Sequence, residues 1–221
     1  MSTSGLNSIE KKAAFSLATV FGLRMLGLFM ILPVFAIYGE QLVGFSPLWV
    51  GLAIGAYGLT QALLQIPMGV LSDKIGRKPV IVGGLLMFAI GSLVAANADS
   101  MFGVVAGRFL QGAGAIAGAI MALAGDLTRE EQRPKVMAII GISIGFSFYL
   151  ALLLGPLLVA DYGLNGIFLA TGVLAIFCIA LVLFVVPSAK NIAPKGDTLP
   201  VIYDLKVLFL HLLKLYVYLI E

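Results

Sequence analysis

Six apolar runs, each long enough to cross a bilayer, divide this chain and leave little room for any other architecture. They lie at about 13–38, 47–71, 79–97, 101–126, 134–160 and 165–187. A spanning helix needs about 20 residues. Lipid offers no partner to a bare backbone N–H or C=O, so runs of this length must be helices. The expected fold is an all-α membrane protein, a six-transmembrane-helix bundle over residues 13–187. Composition agrees, with 61% hydrophobic residues and 11% charged, against about 25% charged in soluble domains. So little polarity cannot cover a surface in water. That excludes a soluble enzyme, a nucleic-acid binder and a disordered tail, and makes the lipid bilayer the first partner.

The connections fall into two kinds. Residues 39–46, 98–100 and 161–165 carry Glu40, Asp99 and Asp161 but no Lys or Arg. The other side carries Lys11, Lys12, Lys74, Arg77, Lys78, Arg129, Arg133, Lys135, Lys190 and Lys195. Basic loops stay in the cytoplasm. Residues 1–12 and the turns after the second, fourth and sixth runs are therefore expected there. The first run is longer than a signal-peptide core and contains Arg24, so it reads as an uncleaved span.

After Pro187 the composition changes. Residues 188–200 hold Pro194, Pro200, Gly196, Asp197 and two lysines, which reads as a cytoplasmic linker. In 201–221, Asp204, Val207, His211, Lys214, Tyr218 and Glu221 recur every three or four residues. This stripe, polar but for Val207, on an apolar segment fits an amphipathic helix in the interface or the start of a seventh span.

Three motifs carry the chemistry. The turn after the second run reads Gly69-Val70-Leu71-Ser72-Asp73-Lys74-Ile75-Gly76-Arg77-Lys78. Asp73 can pair with Arg77 or meet a helix N-terminus. Gly76 supplies turn freedom, and Gly69 permits a neighbouring helix to approach. The basic residues alone can also serve only to fix orientation. The fourth run holds Arg108-Phe109-Leu110-Gln111-Gly112-Ala113-Gly114. An Arg inside a span costs about 2.5–3.5 kcal/mol and needs a partner or a wet cavity. Read as one helix, this run puts Arg108 and Asp126 on one face about 27 Å apart, too far to pair. Asp126 is then either a proton site or a carboxylate paired near Arg129 and Arg133. The fifth run contains Gly141, Gly145, Gly155 and Pro156, close-approach glycines and a proline-weakened turn, which an ordinary kinked packing helix would also show.

Arg24 lies about 16 Å along the first run. No Asp or Glu stands at its depth in the six runs. Water, carbonyls and hydroxyls must satisfy it, or a partner outside the chain, unless it snorkels. Tyr57, Gln61 and Gln65 form a polar stripe at i, i+4 and i+8, serving either as a substrate path or as glue between helices. Pro33 and Pro67 mark expected kinks. No metal-ligand spacing, nucleotide loop or enzyme constellation occurs, so no cofactor is expected.

The turn after the second run resembles the loop signature of the major facilitator superfamily at all its key positions. Arg108 to Gly114 resembles that superfamily's fourth-helix motif, which implies a role for Arg108 in proton coupling. The fifth run resembles the antiporter motif ending Gly-Pro-x-x-Gly-Gly, with Val159 and Ala160 in place of the last two glycines. The stretches 18–27, 57–61 and 125–130 are similar to the YajR-type group of the drug:proton antiporter branch. The resemblance covers about 1–187 and implies the N-terminal half of a transporter in a bacterial inner membrane. It implies that helices 1 and 4 line a central cavity, and that helices 2 and 5 meet a second six-helix bundle, supplied by a C-terminal half or a homodimer. The function expected is proton-coupled export of small hydrophobic compounds or drugs. The alternatives are a non-transporting truncated half or assembly module, and a sugar or metabolite facilitator.

Overall fold

The computed structural model describes residues 5–188, without the side chain of Ala36. The expected linker beyond Ser188, with Lys190 and Lys195, and the segment 201–221 lie outside the described residues.

Helix α1 (Ser8–Met30) begins at a capping box. The Asn7 side chain accepts from the Glu10 N–H at 2.9 Å, and Glu10 accepts from the Asn7 N–H at 2.8 Å. The first run continues past Ile31 into α2 (Leu32–Tyr38), with Pro33 in its first turn. Proline lacks the N–H an unbroken helix would use there. Ser46 caps α3 (Pro47–Ile75), which carries Pro67 without interruption. At Gly76 φ is 102°, a conformation glycine adopts freely, and the chain turns into α4 (Arg77–Ala96).

The fourth run departs from expectation. It is two helices, α5 (Met101–Ala113) and α6 (Ala117–Asp126). Gly114 leaves helical geometry with ψ 45°. A Cβ on Gly114 would lie inside contact distance of the Gly84 carbonyl, so α4 presses on the chain where it breaks. Arg108 and Asp126 therefore sit on different helices, and the shared face and 27 Å spacing of one straight helix do not apply.

Helix α7 (Arg133–Phe184) joins the fifth and sixth runs through Gly163, whose φ of 64° and ψ of −171° are not helical. Ser147 faces Gly22 and Gly155 lies against Met30, so 133–162 runs in the same sense as α1. Thr171 bonds Gly27 O and Cys178 bonds Val20 O, so 164–184 runs the other way. The chain reverses at Gly163.

Among the described residues, five helical stretches are long and apolar enough to cross a membrane, the last being Glu130–Phe184 with 55 residues. At 1.5 Å per residue that stretch would measure about 80 Å if straight, more than twice the hydrocarbon core of about 30 Å. At the end away from the basic turns, Val43 N–H bonds Asp99 O and Val43 O accepts from Met101 N–H, tying two connections together.

The core has two apolar layers. One, towards the basic end, includes Leu17, Ile81, Ile120, Val136 and Val182; the other includes Met30, Phe35, Ala95, Met101 and Phe168. Between them runs a belt of buried polar residues, with Arg24, Thr60, Ser92, Arg108, Gln111, Ser147 and Thr171 drawn from α1, α3, α4, α5 and both arms of α7. Helix α3 is the outlier in packing. Only 17% of its most apolar stretch is buried, against 61% in Ser8–Phe35.

Candidate functional site

At the basic end three elements meet on one guanidinium. Arg77 Nη2 stands 2.5 Å from Asp73 Oδ1, Nε stands 3.1 Å from Asp126 Oδ2, and Nη1 donates to Ser72 Oγ at 2.7 Å. Asp126 thus pairs with α4 rather than with its sequence neighbours. Arg133 reaches Glu130 at 3.6 Å. Arg129 grips both oxygens of the buried Glu10, with Nε at 2.8 Å and Nη2 at 3.0 Å, and also donates to Gly5 O. Hydrogen bonding to Glu10 holds the Arg129 guanidinium above its usual pKa. Lys78 Nζ donates to Val186 O beyond the end of α7. Gly69 has no described atom within 4 Å of its own Cβ position, while a Cβ on Gly118 of α6 would stand 4.0 Å from the Gly69 Cα.

The belt is a second, separate arrangement. Arg108 Nη1 donates to Gln111 Oε1 at 2.8 Å, Nε donates to Ala53 O at 3.4 Å, and the guanidinium lies 4.7 Å from the Tyr57 ring centroid. Gln111 Nε2 donates to Ser92 Oγ at 2.8 Å. Arg24 Nη2 donates to Gln61 Oε1 at 3.1 Å and to Gly114 O at 3.0 Å, and the guanidinium lies over Phe88. Gln61 Oε1 also accepts from Tyr57 OH. Arg24 and Arg108 are therefore joined through Gln61 and Tyr57, by bonds to neutral groups only. One carbonyl and one side-chain amide meet Arg24 through Nη2, while its Nε and Nη1 find no acceptor among the described residues, so the sequence alternatives for this cation stay open.

The belt depends on a close crossing of α4 and α5. A Cβ on Gly107 would stand 2.7 Å from the Ala95 side chain and from Gly91 O. Only small residues allow that approach. Of the sequence candidates, Tyr57, Gln61, Arg24, Arg108 and Gln111 come together, while Gln65 is exposed and outside the network. Gly155 packs on Met30 O, Pro156 is exposed, and a Cβ at Gly141 or Gly145 would meet nothing within 4 Å. Sequence reasoning missed Glu10, Phe88, Ser92 and the Gly114 carbonyl. The pattern Asn7-x-x-Glu10 before an apolar run is a capping-box signal that would have singled out Glu10.

Helices with apolar spans and a buried polar belt, among the described residues, define a multi-pass membrane protein. Residues 17–218 match the Major Facilitator Superfamily, and the chain belongs to that family of membrane transporters. It is 55% identical to the inner membrane transport protein YajR of Escherichia coli (strain K12) over 182 residues, covering 82% of this chain and 40% of that protein. It is 36% identical to multidrug resistance protein D of the same strain over 107 residues, covering 48% of this chain and 27% of that one. Its backbone matches the crystal structure of the human organic anion transporter MFSD10 with a TM-score of 0.73 at 20% identity, over 84% of this chain and 49% of that one. The chain spans about half the length of these relatives or less.

Proposed function

We propose that the chain is the N-terminal half of a proton-coupled exporter of small hydrophobic compounds, working by alternating access against a second six-helix bundle. In this reading it crosses a bacterial inner membrane six times from a cytoplasmic N-terminus, with Arg133–Phe184 contributing a crossing on each side of Gly163. The observation that carries the reading is the ion cluster of Asp73, Arg77 and Asp126 beside the sparsely packed α3. Such a joint can open and close where two bundles rock against each other. Ile142, Phe146, Tyr149 and Leu153 are exposed at i, i+4, i+7 and i+11, with Gly141 and Gly145 open nearby. That apolar face and α3 are where the second bundle would pack, with Pro156 near the end of the seam. Gly69, Asp73, Gly76, Arg77 and Lys78 then act as the conformational switch. Arg24, Arg108, Gln111 and Asp126 couple it to protons. Tyr57, Gln61 and Gln65 line the substrate path. The likeness to a multidrug resistance protein supports drugs as the cargo.

The test is ethidium transport in proteoliposomes by this chain joined to the other half of the E. coli relative. Transport should follow an imposed proton gradient and fall at least tenfold in Asp73→Asn. A folded chimera without gradient-dependent transport overturns the proposal in favour of a non-transporting module. Competition by sugars in place of ethidium would favour a metabolite facilitator.

A further inference from the structure

The break between α5 and α6 brings a helix N-terminus into the belt. Helix α6 has 10 residues, and its cap position is Ile116, whose side chain makes no capping bond. The leading N–H groups of a helix have no partner within it, and the helix dipole leaves partial positive charge there. Arg24 reaches the same place. Its Nη2 bonds Gly114 O, two residues before that cap. Its guanidinium lies 5.2 Å from the Phe88 ring, and Phe88 N lies 3.2 Å from the Cβ position of Gly114. Arg24 is 1% exposed, yet its Nε and Nη1 meet no acceptor among the described residues.

Among the described residues, the acids that might neutralise it are elsewhere. Glu10, Asp73, Asp126, Glu130 and Glu131 stand at the basic end, and Glu40, Asp99 and Asp161 stand in the connections at the other. A fixed cation with two unpartnered N–H-bearing nitrogens and the positive end of a helix thus converge where no carboxylate stands among the described residues. Helix N-termini are ready anion sites, and an intramembrane charge calls for a counter-charge.

We propose that the break holds a small monovalent anion between Arg24 and the first turn of α6. Its burial favours a chloride-sized ion, and the carboxylate of a small organic acid has the same chemistry. The anion neutralises Arg24, accepts from Nε or Nη1, and caps α6. None of this depends on which compound is transported, so it goes beyond the reading above.

The probes are chloride, acetate and gluconate at equal ionic strength, with the purified chain in nanodiscs of uncharged lipid. Chloride should raise the melting temperature by several degrees over gluconate and saturate with concentration. A rise in acetate alone assigns the site to a carboxylate. Arg24→Gln should remove the dependence on either. Should that variant fail to fold, equilibrium binding of radioactive chloride to the unaltered chain, displaced by acetate where the carboxylate binds better, reads the same site. Melting that is identical in all three salts, or no displaceable anion on the unaltered chain, overturns the proposal. Both readouts are independent of transport, so a chimera that fails to move ethidium leaves them intact.

Discussion

At the basic end of the bundle Arg77 is held between two carboxylates, and Arg129 grips both oxygens of Glu10. In the belt, Arg24 and Arg108 bond instead to the amides of Gln61 and Gln111, to the carbonyls of Gly114 and Ala53, and to aromatic faces. The difference follows from solvent. The Arg77 pairs keep part of their hydration, and water can receive their members when they part, whereas Glu10 is buried under Arg129. Inside hydrocarbon a carboxylate would add a second ion to desolvate. Neutral dipoles spread the charge without that penalty. In the proposed reading the end acts as a joint between moving parts, while the belt keeps a standing positive charge at Arg108.

The largest expected effect comes from filling the crossing that builds the belt. Gly107→Leu must push α5 off α4, because the obstructing atoms include backbone at Gly91 and Ala95. A cost of about 3 kcal/mol or more is expected, read as loss of monodisperse, helical protein after purification. Normal yield and melting would mean that this contact does not scaffold the network. The next effect belongs to the end. Arg129→Ala strands the carboxylate of Glu10, which is 1% exposed, and should lower the melting temperature by several degrees, because an unpaired buried charge is strongly unfavourable. Arg129→Lys should restore part of it, since one ammonium cannot grip both oxygens. Equal melting of all three would reduce this pair to an ordinary surface bridge.

Much of this architecture is legible in the sequence because it is local. Span length and the segregation of bases need only hydropathy and position. Asp73 and Arg77 lie one helical turn apart in sequence, and of the two partners the sequence offers Asp73 the structure shows Arg77. The break at Gly114 was not, since a glycine-rich run reads as one helix until α4 is known to press on it. The acceptor that the break frees for Arg24 was hidden for the same reason. Asp126 finds Arg77 across 49 positions, and Glu10 finds Arg129 across 119. No periodicity announces pairs so distant. The turn at Gly163 sits within the short polar stretch 161–165, where a connection was expected.

The smallest expected change in stability is the sharpest probe of the comparison. Arg108→Met removes a charge whose place in a span costs about 2.5–3.5 kcal/mol on insertion scales. It also strands Gln111 Oε1, an unsatisfied-acceptor loss of about 1–3 kcal/mol, while Ala53 O, inside α3, keeps its helical partner. The contact with the Tyr57 ring, worth about 2 kcal/mol when desolvated, goes as well. Methionine fills similar volume and adapts to an irregular site. These contributions nearly cancel, so melting in nanodiscs should move by no more than about 1 kcal/mol. Transport by the chimera should nevertheless be lost, since the Arg108–Gln111–Ser92 link loses its cation. A folded bundle destabilised by about 3 kcal/mol or more would instead make Arg108 a structural post. The belt would then resemble the charged end, holding helices together by its cation rather than keeping a charge in reserve.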